Sequence, residues 1–282
     1  MLIRVLTGIV ALLVFIPFLI FADSVSFLFP LAMGGCALIS CFELLRSIGQ
    51  HKNYGLSIPV YLLAYAAPFT IRYVGGAKGL DRALTIILGG LLLFLLYSFA
   101  LAVLSRGKRN VTDLCTAAIS SIYVIAGFSA IVFLFDFHEG GKYIYLLTFI
   151  GAWVTDTFAY FTGRFLGKHK LIPEVSPKKT VEGAIGGILF CTLAFVGFAL
   201  IYNAFLRGEG GQIIPWWLMA IVGVLTSIVS QFGDLAMSVI KRHYGIKDFG
   251  NIFPGHGGML DRFDSVVAVS IFLAVVLGFT IM

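Results

Sequence analysis

Apolar residues run through the chain in long blocks, at 4–22, 25–45, 56–74, 83–104, 111–135, 143–163, 181–206, 213–240 and 265–282. A helix needs about 17–25 such residues to cross a hydrocarbon core. The pattern therefore predicts an all-α, polytopic transmembrane helical bundle of about nine helices. Arg4 is followed by an apolar stretch to Phe21 that exceeds the core of a cleaved signal peptide, and the expectation is a first transmembrane helix. Two connections, 164–180 and 241–264, are long and polar, and both fall in the second half. The expected organisation is 1–142 as an N-terminal membrane region of about five spans and 143–282 as a C-terminal region of about four spans bearing the chemistry. No internal repeat or disordered linker interrupts the pattern.

Orientation follows from the basic residues. With the N-terminus inside, the inner segments hold 15 of the 20 Lys and Arg, while Arg72, Lys78, Arg82, Lys142 and Arg207 remain outside. That bias predicts a cytoplasmic N-terminus and both polar connections on the cytoplasmic side. Composition agrees with a lipid solvent: 59% of residues are hydrophobic and 12% charged, against about 25% charged in soluble domains. The net charge of +6 sits in short loops between spans, which points to anionic lipid head groups or phosphorylated substrates and away from nucleic acid. Cys36, Cys41, Cys115 and Cys191 lie in apolar stretches without metal-ligand spacing and are expected as reduced, packed thiols.

Carboxylates inside spans cost at least ~2.5 kcal/mol on insertion scales. Asp156 precedes Arg164 by eight residues and Asp234 precedes Lys241 by seven, so each lies about 10–12 Å inside its helix from the cytoplasmic end. A shared polar cavity open to the cytoplasm accounts for both; either one alone also suits a structural carboxylate bonded to a neighbouring Ser, Thr or Tyr. Asp261 and Asp264 are three apart where a helix begins, and so share a face. A hard divalent cation such as Mg²⁺ would relieve their repulsion. Equally, both can complement a helix N-terminus with Arg262 as counter-charge.

Gly255, His256, Gly257 and Gly258 precede this acidic turn, with Lys241, Arg242, Lys247 and Asp248 upstream. Glycines let backbone N–H groups converge on an anion. The other connection carries Ser176, Lys178, Lys179, Thr180 and Glu182 into a helix. Thr180 suits an N-cap with Glu182 in the first turn, or the lysines clamp a phosphate there. The stretch from Gly163 to His169 is one residue short of a phosphate-binding loop. The scattered histidines show no zinc spacing, and no nucleophile elbow appears. Metal-assisted phosphoryl or nucleotidyl transfer is the chemistry these residues suit.

The run containing Ser238, Lys241, Arg242, Lys247, Asp248, Gly250, Pro254, Gly255, His256, Gly257, Gly258, Asp261, Arg262 and Asp264 closely resembles the signature of phosphatidate cytidylyltransferases (CDP-diacylglycerol synthases). Asp156, Gly163, Gly167 and Lys168, leading to Ser176-Pro177-Lys178-Lys179-Thr180-Val181-Glu182-Gly183, resemble a second hallmark of that family. The resemblance implies condensation of CTP with phosphatidic acid to CDP-diacylglycerol and pyrophosphate, in a bacterial cytoplasmic membrane. On this reading Asp234, Asp261 and Asp264 hold one or two Mg²⁺ ions, and Lys178, Lys179, Lys241 and Arg242 bind phosphates. Gly255 to Gly258 offer backbone donors, and His256 binds substrate. Asp156 and Glu182 ligate metal or orient lysines. Homodimerisation is left open. The competing expectations are an ion- or proton-coupled transporter, a CDP-alcohol phosphotransferase, a cytidylyltransferase acting on another lipid acceptor, and a structural scaffold.

Overall fold

The computed structural model describes residues 26–75, 79–105, 110–136, 141–206, 213–253, 255 and 257–281. The first expected helix, 4–22, lies outside them. The described chain forms eight long helices: α1 (Leu28–Ser47), α2 (Tyr54–Thr70), α3 (Leu80–Leu104), α4 (Val111–Asp136), α5 (Leu146–Leu166), α6 (Val181–Ile201), α7 (Trp216–His243) and α8 (Leu260–Ile281). Six helical segments, in α1–α4, α6 and α7, are long and apolar enough to cross a membrane. The protein is an all-α membrane bundle, as its hydropathy predicts. One element departs from that class: the connection after α5 folds as an antiparallel hairpin of β1 (Lys170–Ile172) and β2 (Ser176–Thr180), with Lys170 opposite Thr180. The last helix starts at Leu260, earlier than its apolar block, because charged Asp261, Arg262 and Asp264 lower hydropathy without opposing a helix start.

The described residues fall into two compact units. One comprises those of 1–133 and 244–263. Within it, α1 and α2 pack closely enough that a Cβ on Gly34 would stand 3.0 Å from the carbonyl oxygen of Tyr65. Pro59 and Pro68 lie inside α2, which ends in a π-helical turn, Ile71–Gly75. Proline frees helix carbonyls, and local π geometry re-satisfies such groups in membrane helices. Leu88, Leu93, Leu96, Val103 and Leu104 on α3 are exposed, a surface suited to hydrocarbon. Tyr244 donates to Asp113 Oδ1 at 2.9 Å, fastening the 244–259 loop to α4.

The other unit comprises the described residues of 134–243 and 264–282. Here α5, α6 and α7 pack through small residues. A Cβ on Gly183 would stand 2.6 Å from the carbonyl oxygen of Ala159, and one on Gly187 would stand 3.0 Å from that of Thr155. Polar contacts tie the same helices: Thr155 Oγ1 lies 3.0 Å from Ser227 Oγ, and Gln231 Nε2 donates to the carbonyl of Ala184 at 3.3 Å. Close backbone approach and interhelical hydrogen bonds hold helices together where lipid offers no hydrophobic drive.

Candidate active site

The second unit gathers most of the expected charges. Asp234 and Lys241 are seven residues apart on α7, two turns on one face. Lys179, at the end of β2, reaches Asp234: its Nζ lies 2.7 Å from Oδ2, with both side chains about three-quarters buried. Ser238 Oγ donates to Asp234 Oδ1 at 3.4 Å. Lys241 Nζ stands 3.8 Å from Oδ2 of Asp264 on α8, both side chains about nine-tenths buried. The backbone N–H of Ser265 donates to Asp264 Oδ1 at 2.9 Å, and Ser265 Oγ donates to Asp156 Oδ2 on α5 at 3.1 Å. Asp264 is within electrostatic reach of Asp234, Lys241 and Asp156 together. Asp156, Asp234 and Lys241 thus gather around Asp264, and Lys179 joins them through Asp234. The two aspartates that the sequence placed at one depth on separate helices do converge.

The hairpin is held against this unit from both ends. Thr180 caps α6, its Oγ1 accepting the N–H of Gly183 at 3.1 Å. Glu182 pairs with His169, its Oε1 lying 2.7 Å from Nδ1 and 3.2 Å from the backbone N of His169. The Glu182–His169 pairing was not legible in sequence, where His169 carried no assigned role. Arg242 donates through Nε to the carbonyl of Val175 at 3.3 Å, tying α7 to the hairpin turn. Ser176 is half-buried and Lys178 is exposed.

The glycine loop belongs to the first unit. Phe253 N–H donates to the carbonyl of Gly257 at 2.9 Å, closing the loop. Gly255 and Gly257 adopt φ of 79° and 86°, left-handed values that disfavour side chains. His256 and Pro254 lie outside the described residues. Asp261 Oδ2 accepts the N–H groups of Phe249 at 2.8 Å and Gly258 at 3.0 Å, so this carboxylate organises the loop. Lys247, Asp248 and Arg262 are exposed. Sequence reasoning passed over Glu43, a buried carboxylate on α1 that binds the N–H groups of Met259 and Leu260.

The donor set around Asp264 consists of hard oxygens, which suit Mg²⁺. No three Asp, Glu, His or Cys side chains among the described residues form a ready-made metal cage. Mg²⁺ is usually held by one or two carboxylates and completed by substrate phosphates.

Comparison with known proteins gives the family. The model of the cytidylyltransferase family matches residues 2–280. The chain is 37% identical over 268 residues to a phosphatidate cytidylyltransferase of Staphylococcus saprophyticus, covering 95% of both chains. It is 36% identical to proteins of the same name from Staphylococcus haemolyticus and Staphylococcus aureus, again over 95% of each. A match along the whole chain, with the fold and charge cluster above, identifies the protein as a member of the cytidylyltransferase family.

Proposed function

We propose that the protein transfers the cytidylyl group of CTP to phosphatidic acid, giving CDP-diacylglycerol and pyrophosphate, with Mg²⁺, at the cytoplasmic side of the membrane. The observation that carries the reading is the meeting of Asp156, Asp234 and Asp264 with Lys179 and Lys241, in a chain whose relatives bear the name of that activity. The positive-inside bias supports the cytoplasmic assignment, because every residue of the cluster lies near a connection expected inside.

In the reaction a phosphate oxygen of phosphatidic acid attacks the α-phosphorus of CTP in line. The new P–O bond forms as the α–β phosphoanhydride bond breaks, and pyrophosphate leaves with the electron pair. The nucleophile is already ionised near neutral pH, so no protein base is needed. Positioning and charge neutralisation carry the catalysis. Lys179 and Lys241, each beside a carboxylate, can exchange that partner for a triphosphate oxygen. Asp234 and Asp264, so released, would hold the cation, with Asp156 bonded to Ser265 beside them; Asp261 holds the glycine loop. When bound, Mg²⁺ supplies charge neutralisation at the reacting phosphates. Lys178 and Arg242 would bind the triphosphate or the lipid phosphate.

The acceptor is tested by product identification. Purified protein in detergent is given CTP, Mg²⁺ and either phosphatidic acid or a polyprenyl phosphate, and the lipids are analysed by mass spectrometry. CDP-diacylglycerol formed from phosphatidic acid supports the reading. Product only with the polyprenyl phosphate would move the chain to another acceptor.

A further inference from the structure

Glu43 lies on α1, four residues before the helix ends at Ser47, yet it is only 3% exposed. An anion near a helix C-terminus faces the negative end of the dipole, and a buried carboxylate needs donors in place of water. Both demands are met by one distant segment. Glu43 Oε1 accepts the N–H of Met259 at 3.0 Å, and Oε2 accepts that of Leu260 at 2.9 Å, from 216 and 217 residues away in sequence. N–H groups at a helix start have no partner within the helix, so Glu43 serves α8 as an N-cap supplied from another helix. Gly250 and Gly258 permit the approach, because a Cβ on either would run into the Glu43 carboxylate. Asp261 fastens the same segment from its other side through Phe249 and Gly258. Two carboxylates thus take four backbone donors of the stretch that leads into α8.

We propose that Glu43 is a positioning residue for cytidylyl transfer. Its carboxylate fixes the glycine loop and the first turn of α8, and through them the aim of Asp261 and of Asp264 one turn further along that helix. The catalytic half of this proposal rests on the function proposed above; the structural half does not.

The first test is Glu43→Gln, which keeps the volume but sets an amide N–H₂ against a backbone donor. The variant is expected to elute as wild type, with amide exchange at residues 258–261 faster by about tenfold or more while α5–α7 keep their protection. Its kcat should fall by about tenfold or more, as misplacement of reacting groups costs, with the KM for CTP within about twofold of wild type. General destabilisation would instead speed exchange throughout. Unchanged kcat, or unchanged exchange at 258–261, overturns the proposal.

The second test does not depend on that variant folding. Gly258→Ala should be nearly inactive, and adding Glu43→Asp, one methylene shorter, should recover activity above Gly258→Ala alone. Activity equal to the product of the two single effects, as for independent sites, overturns the contact's role. If the wild type makes no nucleotide-linked lipid, the reaction is wrong, and the exchange measurement still decides whether Glu43 holds the loop.

Discussion

Removing the Lys241 ammonium isolates the energetics of the buried cluster. Its Nζ stands 3.8 Å from Asp264, and both side chains are about nine-tenths buried. At an effective dielectric constant of about 20, two unit charges at that separation attract by about 4 kcal/mol. Lys241→Met keeps much of the buried stem but leaves Asp264 near Asp156 and Asp234 with one cation fewer. Breaking a buried pair from one side typically costs about 3–5 kcal/mol. For a chain of this size that corresponds to a fall of about 6–20 °C in melting temperature. Adding Asp264→Asn removes the stranded charge and should restore at least half of the loss. The four cysteines are free, and Cys41 and Cys191 are buried, so a thiol-reactive fluorophore reports unfolding in detergent. A single variant melting within about 2 °C of wild type, or a double variant melting below the single, would refute the coupling on which the estimate rests.

Other consequences are more local. Asp264→Asn should reduce turnover by about 100-fold or more if its charge acts at the reacting phosphates, while size-exclusion behaviour stays that of wild type; near-normal turnover removes it from the site. Thr180→Ala deletes the cap bond to Gly183 and should cost about 1 kcal/mol in the same melting assay. Gly183→Ala drives a Cβ towards the Ala159 carbonyl, and should cost about 1–3 kcal/mol as helices α5 and α6 are forced apart.

Hydropathy made the helices legible because lipid demands long apolar segments, and blocks such as 111–135 match α4 (Val111–Asp136) within a residue. The hairpin at 170–180 was not legible. Its strands are three and five residues long and half their residues are exposed, so they carry no apolar alternation; Glu182, Thr180 and Arg242 bond at their edges. Asp156 and Asp234 could be picked out because a carboxylate in an apolar run needs a reason, and their meeting at Asp264 supplies one. Glu43 escaped because its partners are backbone N–H groups, which leave no mark in side-chain identity. One signal was present: an acid near the C-terminal end of an apolar helix opposes the dipole, an anomaly that calls for distant donors.

The central claim is that this cluster performs metal-assisted nucleotidyl transfer to a lipid phosphate. The most direct measurement is pyrophosphate release by purified protein in detergent with CTP, phosphatidic acid and Mg²⁺, repeated with each omitted and with EDTA. The account predicts release only when all three are present. Release without lipid, undiminished release in EDTA, or no release from folded protein across varied lipids and metals would contradict it.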